Sequence, residues 1–418
     1  MQKSGLRIYE RDNCTGVFVQ DDQCTGKRKG TAGADQGIGG VFDGKGDSMR
    51  IEDAIAKLHV DKNNNRIDHN KEYVIFGNGV NGDWVYEQLA REQCCIRAIL
   101  DDKHLEQTRD VAVVNREQLA NLQLDYCNTI VVVSFFVKSR EKYRQIKDSL
   151  AKLGFLEEQI VNYIEILMED YFEKRDFIKE AEQLGRAYDG LADAESRELL
   201  EKFVEAVTLG NAGKMQEESD REQYFDETVL PADWKERAGY FLDCGAYIGD
   251  TYDVFQRQNT QMNYAGFEPD IHNYALLAQH VREYGSANKE HLLFPCATGK
   301  EDRLVSFQYS ERKTDSPGSS IQEHGNSTIP VVAIDDVVHG SPVAFIKMDV
   351  EGAEYDSLLG AELTIKTQRP ILAICTYHST RDMWRLQELI ESFDCNYEFY
   401  LRSYYMYSRE TVLYAVPK

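Results

Sequence analysis

Twice in this chain an apolar strand breaks on a glycine-punctuated turn, and each time an acidic residue stands 19 positions further on. In "VIFGNGVNGDW", Gly77-x-Gly79-x-x-Gly82 follows the strand, and Asp101 lies 19 residues after Gly82. In "GYFLDCGAYIGDTYDVF", Gly245 and Gly249 follow the strand, and Glu268 lies 19 residues after Gly249. Strand, glycine turn, helix and second strand make the opening unit of a parallel Rossmann-like sheet, where an acid ending the second strand accepts hydrogen bonds from ribose hydroxyls. Two such units in 418 residues predict an α/β protein with two Rossmann-like, doubly wound domains, each with a place for a nucleoside.

The segments between and around these units set expected boundaries. Residues 1–48 are rich in Gly, Asp and Lys and poor in apolar side chains, so they are expected to hold little stable structure. Met49 opens a short amphipathic stretch, "MRIEDAIAKL". In "DKNNNRIDHNKE", Asp61, Asn63, Asn65 and Glu72 match positions 1, 3, 5 and 12 of a calcium loop. Arg66 replaces the turn glycine and Asp68 the apolar eighth residue, so a solvated Asn-rich turn is the better reading. Residues 49–167 are read as the first Rossmann-like domain, with "TIVVVSFF" a buried strand and Tyr143, Ile146, Leu150 and Leu153 one helical stripe. Residues 168–235 are charged, with Leu199, Leu200, Phe203, Val204 and Val207 on one helical face, and are read as a helical linker. Residues 236–418 alternate strand and helix again and form the second α/β domain.

The two turns differ in charge. "VIFGNGVNGDW" has no acid before its glycines and tolerates phosphate, although such turns also serve packing alone. "LDCGAYIGDT" carries Asp243 ahead of its glycines and Asp250 and Thr251 after them, and a carboxylate there repels a pyrophosphate. S-adenosylmethionine has no phosphate and carries an ammonium and a sulfonium, so this second turn suits it better than a dinucleotide. Asp243 is placed to help neutralise the ammonium, and Gly245 and Gly249 to let the backbone approach the methionine part.

Two further stretches carry candidate chemistry. In "FIKMDVEGAEYDSLLGAE" a strand ends at Asp349, with Glu351 and Glu354 following at the carboxyl edge of the sheet, where open α/β sheets bind ligands. A Lys347–acid pair and acids favoured at a helix N-terminus account for part of this crowding. In "PILAICTYHSTRDMWRL", His378 stands just after another apolar strand, where a neutral imidazole takes a proton from a hydroxyl. An acidic cluster at this edge can instead hold a divalent cation that orients two hydroxyls.

Composition excludes several classes. A net charge of −23 argues against nucleic acid as a partner. The nine cysteines include no C-x-x-C pair, and several lie in apolar runs, so reduced thiols of a cytoplasmic protein are expected. No apolar run approaches the roughly 20 residues that span a bilayer.

"FLDCGAYIGDT", "GFEPD", "IKMDVEGAEYDSLLGA" and "RPILAICTYH", with "FYLRSY" and "ETVLYAV" closing the chain, resemble the FkbM-type methyltransferase family over roughly residues 224–418. The resemblance implies a class I, S-adenosylmethionine-dependent fold acting on oxygen of sugars or other secondary metabolites. It implies that Asp243, Gly245 and Gly249 hold the methionine half, Glu268 the ribose, and that Asp349 and Glu351 lie by the methyl-transfer site. The first Rossmann-like unit is similar to modules found before such methyltransferases and in enzymes modifying bacterial surface glycans. Methylation of a sugar or glycan hydroxyl is therefore expected, with His378 or Asp349 as base. Two alternatives stand beside it. One is a nucleotide-sugar dehydrogenase or epimerase, for which no Tyr-x-x-x-Lys follows the first sheet at a useful distance. The other is a non-catalytic protein that binds S-adenosylmethionine or a nucleotide.

Overall fold

A computed structural model of the chain describes residues 66–107, 109–167, 179–209, 212–215, 219–309, 320–321 and 325–418. The expected extension over 1–48, the stretch opening at Met49, positions 61–65 of the Asn-rich turn and residues 168–178 of the expected linker lie outside the described residues. Two compact units emerge. One is built on Asp68–Ser134 and Lys147–Val161, the other on Phe135–Ile146 and Asn162–Lys418.

In the first unit, β1 (Glu72–Phe76), β2 (Cys95–Leu100), β3 (Val113–Val114), β4 (Thr129–Val133) and β5 (Ile160–Asn162) form a sheet in the order β3-β2-β1-β4-β5. β1 pairs in parallel with both β2 and β4. Val74, Ile75, Val131, Val132 and Val133 are fully buried, as continuous apolar strands are when both sheet faces are covered. Helix α1 (Val80–Arg91) follows the glycine turn. A Cβ on Gly82 would run into the carbonyl oxygen of Gly77, so only glycine lets this helix approach the strand so closely.

In the second unit, β6 (Tyr240–Cys244), β7 (Asn263–Phe267), β8 (His291–Phe294), β13 (Val343–Met348), β14 (Ile371–Cys375), β15 (Tyr397–Ser403) and β16 (Thr411–Pro417) form the main sheet. Its order is β15-β16-β14-β13-β6-β7-β8. The pairs from β14 to β8 are parallel, and β16 runs antiparallel to both β14 and β15. This is the α/β, Rossmann-like methyltransferase arrangement expected from the sequence. Helix α4 (Asp250–Arg257) follows β6, and α5 (Ile271–Tyr284) follows β7. The crossing point between β6 and β13 is where connections leave in opposite directions, the usual place for a ligand.

Residues 236–418 form two sheets, not one. "LVSFQY" and "PVVAI" do not join the main sheet. With β9 (Ala297–Thr298) and β11 (Ser320–Ile321), β10 (Arg303–Gln308) and β12 (Ser327–Val332) make a small second sheet in the order β11-β10-β12-β9. In β10, Phe307 is buried and Leu304, on the opposite face, is largely exposed.

Residues 181–190 and 194–209 are helical, the second as the apolar stripe predicts; the second packs on the edge strand β15 and the first on the helix Asp382–Ser392. Helix α2 (Ala181–Gly190) precedes α3 (Ala194–Leu209). The backbone N–H of Ala192 donates to Phe399 O at 2.8 Å. Ser196 Oγ accepts from Leu401 N at 2.9 Å, and Arg402 meets Asp193 at 2.6 Å. Just ahead of β6, Phe225 stacks on Trp234 at 5.6 Å and touches Phe241 and Phe345 at 5.5 and 5.7 Å between ring centroids. Aromatic pairs of this kind add about 0.5–1.5 kcal/mol beyond area burial, so the core of this unit begins well before residue 236.

Candidate active site

A cavity of about 290 Å³ opens at the carboxyl edge of the main sheet. Two strand ends meet beneath it. Gly245, just past β6, has φ +81°, and a Cβ there would strike the carbonyl oxygen of Asp349, just past β13. Without that glycine the two loops could not approach, so its absence of a side chain shapes the floor of the cavity.

Glu268 stands at one end, almost fully buried. Its Oε2 accepts from Tyr247 N at 2.9 Å and its Oε1 from Asp270 N at 2.8 Å. Burial outweighs these donors and pushes the carboxyl up to about 7. Asp250 and Thr251, opening α4, also line this end, as do Asn273 and Pro269. The small sheet contributes Thr298, Phe307 and Ile321.

The opposite end is acidic. Asp349, Glu351 and Glu410 all line it, with Tyr224 and Tyr377. Asp349 accepts from the Tyr224 hydroxyl at 2.9 Å and from the Tyr377 hydroxyl at 3.0 Å, one on each oxygen. Burial works against its charge, but Lys347 and these donors outweigh it and hold the carboxyl below its ordinary range. Glu351 has φ +52° and precedes Gly352 at φ +94°, so the Val-Glu-Gly turn holds a non-glycine residue in the left-handed region. Glu410, at φ +54°, accepts from Gln223 Nε2 at 2.7 Å. Burial, reinforced by the nearby Asp349 charge, raises its carboxyl.

Two expected site residues sit one layer behind the cavity wall. Asp243 is fully buried, 2.9 Å from Lys347 Nζ and accepting from Tyr264 OH at 2.9 Å. It does not line the cavity. Lys347 does, and its ammonium donates to Gly245 O at 2.6 Å. Burial opposes the charge on Lys347, and the neighbouring Asp243 and Asp349 more than compensate, so the ammonium holds its proton firmly. Breaking such a pair leaves an uncompensated buried charge, at a cost of about 3–5 kcal/mol.

His378 is the other. Its Nδ1 lies 2.8 Å from Glu354 Oε1, and Glu354, fully buried, also accepts from Val350 N at 3.0 Å. Its Nε2 faces Asp349 Oδ1 at 3.4 Å and Glu351 Oε2 at 3.6 Å. Burial alone would lower the imidazole, but three carboxylates around it push it up to about 10. The neutral imidazole expected from the sequence is thus not the form its neighbours favour. Glu354, Asp349, Glu351 and His378 are brought together as the motif spacing suggested. Gly249, at φ +98°, caps the start of α4 and does not line the cavity.

Glu410, Tyr224 and Gln223 were not anticipated. A signal for Glu410 was present: it immediately precedes the apolar run "TVLYAV". Because β16 is antiparallel to its neighbours, its beginning, not its end, lies at the carboxyl edge of the parallel strands.

The family model for the Methyltransferase FkbM domain matches residues 243–399, which include both ends of this cavity apart from Gln223, Tyr224, Tyr405 and Glu410. No curated protein matches the chain significantly. Among solved structures, the methyltransferase FkbM from Methylobacillus flagellatus KT is similar in fold, with a TM-score of 0.60 and 20% identity over 88% of this chain and 93% of that one.

Proposed function

We propose, from the premise that this chain carries an FkbM methyltransferase domain over residues 243–399, that it moves a methyl group from S-adenosylmethionine to a hydroxyl oxygen of a sugar or glycan. The observation that supports this most is the polarity of this cavity: a buried acid beside a glycine turn at one end and three acids at the other. Phosphate-bearing ligands are disfavoured by that lining, whereas a cationic cofactor and a neutral polyol are welcome.

In this reading Glu268 accepts from the ribose hydroxyls, and Asp250, Thr251 and the Gly245–Gly249 turn flank the methionine part. Asp243 acts at second hand: it keeps the Lys347 ammonium in place, and Lys347 pins the carbonyl of Gly245. The acceptor lies against Asp349, Glu351 and Glu410. Its oxygen attacks the methyl carbon in line with the breaking C–S bond, S-adenosylhomocysteine leaves, and the hydroxyl proton passes to a carboxylate. Alignment is the main contribution to rate. Glu410, with a raised carboxyl, is a better proton acceptor than His378, which already holds a proton at neutral pH. His378 and Glu354 instead position Asp349 and Glu351. No helix among the described residues is long and apolar enough to cross a membrane.

The test is methyl transfer from labelled S-adenosylmethionine to a glycan extract, with mass detection of the product. A product heavier by one methylene, lost on alkaline ester hydrolysis or carried on nitrogen, would overturn the hydroxyl assignment. Cofactor binding without any transfer would leave the sensor alternative in its place.

A further inference from the structure

The polar atom that the proposed chemistry leaves unused is Nε2 of His378. The side chain is only 8% exposed, and this nitrogen has no hydrogen-bond partner. It is not aimed at random. The Nδ1 side is fixed by Glu354, which is itself held by Val350 N, so the ring cannot turn away. Nε2 therefore points between Asp349 and Glu351, two of the carboxylates that line the cavity.

We propose that His378 Nε2, Asp349 and Glu351 form a divalent-cation site on the wall of the cavity, with Glu354 as the carboxylate that orients the histidine.

Three features carry this. First, the separations of 3.4 and 3.6 Å are too long for hydrogen bonds. They are close to the roughly 3.4 Å expected between two ligand atoms bonded at about 2.1 Å to one tetrahedral ion. Second, ligating histidines almost always give their other ring N–H to a carboxylate, and Glu354 stands there at 2.8 Å. Third, negative charge is in surplus around this point. Asp349, Glu351 and Glu354 surround His378 at 3.4, 3.6 and 2.8 Å, and Glu410 lines the same end of the cavity.

One imidazole and two carboxylates suit Mn²⁺ or another first-row ion better than Ca²⁺ or Mg²⁺. One position remains on the cavity side for an acceptor hydroxyl. On the proposed methyl-transfer reading, the ion would hold the attacking oxygen and lower its proton affinity.

The test uses the full chain, freed of metal with a chelator and titrated with Mn²⁺, the free ion followed by electron paramagnetic resonance. One saturable Mn²⁺ per chain is expected. His378→Gln, Asp349→Asn and Glu351→Gln should each weaken it tenfold or more, and Glu354→Gln by about 10–100-fold although it does not touch the ion. Cys375→Ser should leave it unchanged. Absence of saturable binding overturns the site, as does binding that survives His378→Gln. Loss on Cys375→Ser moves the ion to the neighbouring Asp349–Cys375–Glu410 group and equally overturns the assignment. If His378→Gln fails to fold by thermal melting, the two carboxylate variants decide. Calorimetry with S-adenosylmethionine on the same metal-free protein separates the two ideas: cofactor binding without Mn²⁺ binding removes only the metal site, and Mn²⁺ binding without cofactor binding removes only the methyl-transfer reading.

Discussion

The two glycine turns share a spacing and differ in what their acids do. In the first unit, Asp101 Oδ2 accepts from Asn78 N at 2.8 Å, and Oδ1 accepts from Lys103 N and His104 N at 2.8 and 2.9 Å. The side chain of Asn78, itself in the turn, donates to His104 O and Glu106 O. The acid and the turn thus bond to each other and to the loop that follows, and these donors outweigh burial in holding Asp101 below its ordinary range. In the second unit, Glu268 takes only two backbone donors, one per oxygen, and still faces a cavity. The 19-residue interval therefore reports a strand–helix–strand unit. Whether the acid serves a ligand or its own loop depends on what fills the space beside it.

The largest effect that would sharpen this contrast is expected from Gly245→Ala. The new Cβ meets backbone, at a φ that L-residues rarely adopt, so the floor of the cavity must move. A loss of several kcal/mol in chemical denaturation and loss of cofactor binding are expected. Gly82→Ala also meets backbone and should destabilise comparably, but the S-adenosylmethionine affinity of the protein that remains folded should be unchanged. Equal effects on affinity would erase the distinction between the turns.

Next comes turnover. Asp349→Asn and Glu410→Gln should each lower the methyl-transfer rate by about 10²–10⁴-fold, with cofactor affinity within a few-fold in calorimetry. At saturating S-adenosylmethionine, where the titration of Glu268 no longer limits binding, a pH–rate profile should lack a limb near the ordinary histidine value, because the carboxylates around His378 shift its titration up to about 10. A clear limb near ~6.5 would restore the histidine as base.

Glu268→Gln should weaken S-adenosylmethionine about tenfold or more, since a charged acceptor contributes on the order of 1.5–3 kcal/mol. Asp101→Asn should leave that affinity alone. The wild-type affinity should fall as pH drops through about 7, because the ribose hydroxyls bond the charged carboxylate and burial holds its protonated form to that pH. Stability runs the other way. The folded value, about 7, exceeds the ordinary 4.5, so the contribution is fully present below about 4.5 and is lost as pH rises through about 7. Relative to Glu268→Gln, the wild type should lose on the order of 2–3 kcal/mol between these limits, read from urea denaturation at pH 4.5 and pH 8.

The smallest expected effect is none at all. NAD should shift the melting temperature by less than about 1 °C at millimolar concentration, since a ligand that does not bind the folded state does not stabilise it. Saturable NAD binding that disappears in Asp101→Asn would break the comparison outright.

Much of this molecule was legible in its residues. Buried parallel strands such as "VAFIKM" and "PILAIC" stand out because both their faces are covered. The Asp-Val-Glu-Gly-Ala-Glu segment marks a strand end at the carboxyl edge, where Asp349 and Glu351 line the cavity and Glu354 is buried behind them against His378. The small sheet was harder, because β9 and β11 are two residues each, too short to show a period. Helix α3 carried a readable apolar stripe, but nothing in a stripe says which surface it covers, and here it covers the edge strand β15.

By itself, then, the order of residues determined the elements and the sites of tight backbone approach, because period, glycine and strand-terminal acids act locally along the chain. Only the tertiary structure decided the charge states and the partners. Asp243 became a buried counterion because β6 lies beside β13 and brings Lys347 to it. Glu410 became part of the cavity because β16 runs antiparallel. The His378 imidazole is pushed towards its protonated form by three carboxylates that approach from 24, 27 and 29 residues earlier in the chain. Electrostatic energy depends on distance and burial in three dimensions, and neither is written in the interval between two residues.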